Sequence, residues 1–377
     1  MMYKDYFDHF CQRYDPYKDG AWCYEDGCIY RGLMLLYQSS GEPRWLDHLM
    51  RMVPRQVQDD GALVGYDPRE FNIDNILPGR VLLFLDRETK DARYMAAARR
   101  LIGQLDDHPR LLAGNYWHKA RYPHQVWLDG LYMALPFQVE YALAANEQPR
   151  ITDALQQLAT ALVLTAAPGG LHVHGYDESR QQAWADKETG KSPAVWARAM
   201  GWMVMTLVDV LAVLPNDAAT KVLRKRTRSV LLAILQHQQE SGLWLQVLDT
   251  PDLVGNYEET SASAMFAYAS LAACRLQLLA PEETRRLENS ARRALDALLG
   301  TRLLEEDGLI RLTGICQVAG LGALSGPYRD GTPAYYLSEP VVADDAKGVG
   351  PLMMAVAELE LAAAAAGGHT IASGSRR

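Results

Sequence analysis

Trp127-Leu128-Asp129-Gly130-Leu131-Tyr132-Met133-Ala134 opens a segment that stays strongly apolar to about residue 146. A helix that is apolar on every face has to be buried, so this stretch reads as an inner helix of a larger assembly. The acid near its start has two readings. An aspartate at the first turn satisfies orphan amides as an N-cap. A carboxyl beside a tryptophan and a glycine is also pushed towards its protonated form by desolvation, which makes Asp129 a candidate proton donor. Position alone favours the cap; the rest of the chain shifts the balance.

Outward from this stretch, apolar residues recur at helical spacing near 3–13, 24–38, 44–57, 71–86, 91–105, 128–146, 150–166, 194–214, 217–239, 261–279, 282–299 and 348–366. Prolines and glycines mark the breaks, as at Gly41-Glu42-Pro43, Pro109, Pro149, Pro215, Pro251 and Pro281. Strand-like alternation is short and local, as in Leu243-Trp244-Leu245-Gln246-Val247-Leu248. The helical segments alternate in character. The stretches 24–38, 128–146, 194–214, 261–279 and 348–366 are poor in charge; 71–86 joins them less cleanly, because Arg80, Asp86 and Arg87 cluster around it. The others carry a charged face, clearest at Asp91–Leu105 and Glu282–Leu299. Alternating buried and half-exposed helices imply stacked hairpins. The expected fold is all-α, an (α/α)6 barrel of six helical hairpins in which the first segment partners the last inner helix. An open solenoid is the competing arrangement, but its repeats are usually uniform, and here the inner helices recur at uneven intervals. One domain is expected over 1–367, with 368–377 a frayed tail.

The 377 residues suffice for a large core. Apolar residues make up 49%, charged residues 22%, and the net charge is −8, so any anionic substrate must be met by a few local cations. The basic run Lys221–Arg228 lies on an amphipathic helix and reads as a solvated face rather than a nucleic-acid footprint. No secretory signal and no membrane-spanning run is visible. The five cysteines, Cys11, Cys23, Cys28, Cys274 and Cys316, form no disulfide framework and read as reduced thiols of a cytoplasmic protein. Oligomeric state is left open.

The chemically distinctive residues gather at the starts of the inner helices: Trp22, Tyr24, Glu25 and Asp26; Asn72, Asp74 and Asn75; Trp127 and Asp129; Trp196, Arg198 and Trp202; Tyr257, Glu258, Glu259 and Ser261; Asp344, Asp345 and Lys347. In a closed ring of hairpins all inner helices run the same way, so these clusters converge on one rim. Aromatic faces at a concave mouth are platforms for sugar rings; for any single tryptophan, plugging the barrel end is the plainer reading. His172 and His174 share one side of a strand, but no cysteine or third histidine stands at metal-ligand spacing, and hydrogen bonding is expected instead. His172 reads as structural. No GxSxG, HExxH, Walker or GxGxxG pattern occurs.

The ordered set Trp127–Met133, Trp196-Ala197-Arg198-Ala199-Met200-Gly201-Trp202, Asn72-Ile73-Asp74-Asn75, His174-Gly175-Tyr176-Asp177, Trp184-Ala185-Asp186, Gly314–Gly320 and Lys347–Pro351 resembles the unsaturated rhamnogalacturonyl hydrolases of glycoside hydrolase family 105. The resemblance implies an (α/α)6 barrel that removes the 4,5-unsaturated galacturonyl group from rhamnose in pectin-derived oligosaccharides, without metal or organic cofactor. It maps the general acid/base onto Asp129 and the second acid onto Asp74. The family logic is hydration of the enol ether: a proton goes to C4, water adds at C5, and the hemiketal opens to release rhamnose. The donor must begin protonated, and indole packing from Trp127 and a like charge at Asp74 both act in that direction. Arg198 and Lys119 are candidates to meet the substrate carboxylate. Trp196 and Trp202 are expected to wall the sugar subsite, and Tyr24 and His174 to hydrogen-bond sugar hydroxyls or water. The alternatives are an unsaturated glucuronyl hydrolase acting on glycosaminoglycans, a sugar epimerase (for which His172 and His174 pair poorly) and a non-catalytic sugar-binding barrel.

Overall fold

Each apolar segment of the sequence forms a helix that the next one covers. The computed structural model describes residues 2–373 apart from Ser325, with backbone only for Met2 and for 364–373. Residues 374–377, part of the tail expected to be frayed, lie outside the described residues. In chain order the helices are α1 (Met2–Arg13), α2 (Tyr24–Ser40), α3 (Pro43–Met52), α4 (Gly79–Thr89), α5 (Ala92–Asp107), α6 (Leu128–Ala145), α7 (Gln148–Leu164), α8 (Ala197–Val213), α9 (Lys221–Leu235), α10 (Thr260–Arg275), α11 (Pro281–Ala297), α12 (Pro333–Ser338) and α13 (Ala346–Ser373).

The inner helices pack in the cycle α2–α4–α6–α8–α10–α13 and back to α2, and α3, α5, α7, α9 and α11 each cover the inner helix that precedes them. α1 completes the outer layer. Its Lys4 pairs with Glu360 of α13 at 2.8 Å, and the Tyr6 hydroxyl donates to Asp344 just ahead of α13 at 2.7 Å. The chain therefore closes as an (α/α)6 barrel, as the alternation of apolar and amphipathic segments predicts. Closure needs small residues where inner helices touch. A Cβ on Gly32 of α2 would stand 2.8 Å from the Met353 side chain of α13, and one on Gly350 of α13 would run into the carbonyl of Cys28.

Local signals set the boundaries. Pro43, Pro149 and Pro281 lie in the first turns of α3, α7 and α11, where a missing N–H costs nothing. Asp91 and Glu259 cap α5 and α10 by accepting from backbone amides. The segment read as one helix over 71–86 is two pieces: a 3-10 turn, Ile73–Ile76, with Asn72 accepting from the Asp74 amide, then α4 after Pro78. The break lets Asp74 sit in a turn above the barrel. Arg80, which made this segment look ill-suited to the interior, is buried in an ion network with Glu140 and with Asp209, which also accepts from Tyr268.

Short strands hold the loops above the barrel. β1 (Gln125–Trp127) pairs antiparallel with β2 (Gly175–Asp177), with Trp127 opposite Gly175. A Cβ on Gly175 would meet the Leu321 side chain at 2.6 Å and Trp127 at 3.0 Å, so a larger residue there must displace them. β3 (Leu303–Glu306) and β4 (Leu309–Leu312) form a hairpin, and β5 (Ile315–Cys316) pairs with β6 (Val341–Val342). The alternating stretch 243–248 is not a strand; it makes single bridges, Trp196 to Val247 and Leu245 to Glu258. Among the described residues no helix is long and apolar enough to cross a membrane. All five cysteines are free thiols, four of them buried.

Candidate active site

The loops ahead of the inner helices surround a cleft of about 200 Å³. Its wall includes Tyr24, Asp74, Lys119, Trp127, Asp129, Trp196, Arg198 and Trp202, eight of the nine residues expected to act in catalysis or to contact substrate, with His174 the exception. They come from loops or first turns at α2, α4, α6 and α8, apart from Trp202 in the second turn of α8; Lys347 of the last cluster also lines the cleft, whereas Tyr257, Glu258, Glu259 and Ser261 of the fifth do not.

Asp129 is not the helix cap. The N-cap position of α6 is Trp127, and Asp129 lies within the first turn. Its carboxylate Oδ2 stands 3.0 Å from Nε2 of His174, yet neither atom has an aligned hydrogen-bond partner among the described residues. The carboxyl is 16% exposed to the cleft, whereas His174 is fully buried. His174 therefore differs from the expected sugar contact. β1–β2 pairing seats it behind Asp129, where the Leu128 amide donates to its carbonyl at 2.9 Å and its Nδ1 is 2.8 Å from the Tyr336 hydroxyl. The burial of its ring distinguishes these roles; the motif looks the same for both. His172, read as structural, pairs its Nδ1 with Thr165 at 3.0 Å.

Asp74 is 8% exposed. Burial works to raise its carboxyl, but the Lys119 ammonium against Oδ2 outweighs it and holds Asp74 below the usual carboxylate range. The like charge expected to act on Asp129 is thus paired with Lys119. Lys119, expected to face the substrate carboxylate, is committed in this state to Asp74. Burial pushes the His118 imidazole down to about 3, so it is neutral at working pH.

Arg198 is 1% exposed and lies at the base of the cleft. It donates to Ser261 Oγ at 3.2 Å and to the carbonyls of Cys316 and Gln317, and stands 4.0 Å from Glu259. Its guanidinium lies 4.8 Å from the Trp196 ring centre. Part of its donor capacity is thereby spent on the fold, while its Nε has no partner among the described residues. Trp202 stacks on Tyr132 at 5.1 Å and closes the floor. Trp127 stacks on His118 at 4.2 Å and on Tyr122 at 4.8 Å. Trp22 and Trp244 instead plug the barrel end, their indole N–H groups donating to the carbonyls of Asn75 and Ile234.

The structure adds residues that the sequence reading did not single out. Lys18, Arg121, Tyr122, Leu324 and Arg329 also line the cleft. None lies at the start of an inner helix, where the distinctive residues of the sequence gather. Arg329 comes from the loop after β5, which folds back so that its guanidinium donates to Tyr122 Oη at 2.8 Å.

The family model of Glycosyl Hydrolase Family 88 matches residues 3–362. The chain is 39% identical to a solved family 105 glycoside hydrolase from C. acetobutylicum ATCC 824, with a TM-score of 0.85 over 90% of this chain and 94% of that one. It is 62% identical over 227 residues to Protein Atu3128 of Agrobacterium fabrum, covering 60% of this chain and 97% of that one. It is 28% identical over 300 residues to the unsaturated rhamnogalacturonyl hydrolase YesR of Bacillus subtilis, covering 78% and 79% of the two.

Proposed function

The chain belongs to the glycoside hydrolases of families 88 and 105, and from that premise we propose that it is an unsaturated rhamnogalacturonyl hydrolase. The observation that carries the reading is the pair of carboxyls in one cleft, with Asp129 backed by His174 at 3.0 Å and Asp74 paired with Lys119. The likeness to YesR supports the pectic substrate.

In this mechanism the terminal unsaturated uronate lies against Trp196 and Trp202, its carboxylate towards Arg198. Asp129 gives its proton to C4. Positive charge develops at C5 and is shared with the ring oxygen. A water adds at C5 and loses its proton to the Asp129 carboxylate, which restores the starting acid. The hemiketal carbon then carries both the new hydroxyl and the ring oxygen; it opens to a C5 ketone, which leaves a hemiacetal at C1, and collapse of that hemiacetal to an aldehyde expels rhamnose with the hydroxyl proton passed to the leaving oxygen. Asp74 stays ionised against Lys119 and acts on charge and position rather than as the donor. His174, held by Tyr336, is a positioning residue for Asp129, since its Nδ1 partner sets which ring nitrogen faces the carboxyl. The chemistry needs no metal or organic cofactor, and the donor–water geometry differs from the paired-carboxylate arrangement of ordinary glycosidases.

The test is loss of the enol ultraviolet absorbance with two lyase-generated disaccharides, one from rhamnogalacturonan and one from hyaluronan. Decay with the pectic substrate alone is expected, with one deuterium at C4 when the reaction runs in heavy water. Decay with hyaluronan alone assigns the glycosaminoglycan specificity instead. No decay with either leaves a sugar-binding barrel, and product without deuterium at C4 removes the hydration step.

A further inference from the structure

Six cationic side chains line the cleft: Lys18, Lys119, Arg121, Arg198, Arg329 and Lys347. Four of them have a carboxylate partner. Lys18 is 3.3 Å from Glu25, Lys119 holds Asp74, Arg198 is 4.0 Å from Glu259, and Lys347 is 2.8 Å from Asp345. Arg121 and Arg329 have no ion-pair partner among the described residues, and both stand at one aromatic ring. Their guanidinium carbons lie 5.2 and 5.7 Å from the Tyr122 ring centre. Arg329 is fixed there by backbone: its Nε donates to the Gly322 carbonyl at 3.0 Å and its Nη2 to the Leu321 carbonyl at 3.0 Å. Its Nη1 has no hydrogen-bond partner among the described residues.

Depth separates this pair from the base of the cleft. Arg198 is buried, Arg329 is half-buried and Arg121 is exposed. A terminal sugar that reaches the base places its carboxylate near Arg198, and the remainder of its chain leaves past the exposed rim. We propose that Arg121 and Arg329, both held at the buried Tyr122 ring, form an aglycone subsite for the carboxylate of an internal uronate. The preferred substrates are then acidic oligosaccharides longer than a disaccharide. Guanidinium groups suit a planar carboxylate because they offer two parallel donors. This inference rests on the rhamnogalacturonyl reading and names the aglycone that reading leaves open.

The experiment compares kcat/KM of the full chain on an unsaturated galacturonyl–rhamnose disaccharide and on the unsaturated tetrasaccharide that carries one internal galacturonate. The intact protein is expected to favour the tetrasaccharide. In the Arg121→Gln/Arg329→Gln variant, kcat/KM on the tetrasaccharide falls about tenfold or more, through KM, as loss of charge-assisted hydrogen bonds predicts. The ratio of the two efficiencies then moves towards one. Arg121 makes no hydrogen bond among the described residues, so Arg121→Gln alone repeats the test with the loop undisturbed. Equal losses on both substrates, or an intact protein with no preference for the longer one, overturn the subsite. Absence of turnover on both substrates by the intact protein overturns the parent reading, and the subsite with it.

Discussion

A carboxyl in the first turn of a helix ordinarily serves the helix, and Asp129 does not. With Trp127 at the cap position and no amide taken by Asp129, its side chain is free for the cleft. That distinction was only half legible in sequence, because capping and catalysis use the same residue type at nearly the same place. The site's other acids divide in the same way once the structure is known: Glu259 caps α10 and accepts from Ser261 and Ala262 amides, whereas Asp74 is held in a turn against Lys119. At this scale the expected outcome is that Asp129→Asn loses turnover by about 10²–10⁴-fold, the usual worth of a general acid–base group. The variant's helical circular dichroism should match that of the parent. Near-parental turnover would remove Asp129 from the chemistry. His174 shows the limit of motif reading, since its burial and its Tyr336 partner depend on a contact 162 residues away in sequence.

Helix existence and order were legible because long segments carry strong periodicity, and observed ends lie within a few residues of the expected ones at α2, α6 and α10. The exceptions have local causes. Pro78 splits 71–86, and α12 and the paired strands are too short to carry a periodic signal. The cleft residues on the loop containing Leu324 and Arg329 escape sequence reading for a different reason: tertiary folding, not an element start, brings them to the site. The seam between α2 and α13 makes an element-scale prediction. Gly350→Ala sets a methyl group against the Cys28 carbonyl and should cost about 1–3 kcal/mol, the range for overpacking. Gly103→Ala in α5, with nothing within 4 Å of the new methyl group, should instead gain about 0.5–1 kcal/mol from helix propensity. Urea unfolding midpoints check both. Destabilisation of equal size at the two positions would show that steric closure of the ring is not the cause.

Across the whole molecule, three buried histidines couple stability to pH. Burial pushes His108 and His172 down to about 4 and His118 down to about 3, from an ordinary 6.5. Below 6.5 the unfolded chain takes up protons that the folded one refuses, so stability is full above that pH and declines as pH falls towards about 4. The melting temperature should therefore drop between pH 6.5 and 4, before Asp74 contributes: its depressed carboxyl adds stability above the ordinary 3.8 that is lost only as pH falls further, through its folded value. A flat melting temperature over that interval would contradict the burial of these rings. The closed ring has one more effect. Because the inner helices run in parallel, their peptide dipoles point the same way, and each amino-terminal end carries roughly half a positive charge. A chain of net charge −8 thus turns an electropositive face towards its cleft, and capture of polyanionic sugars should slow as added salt screens that field.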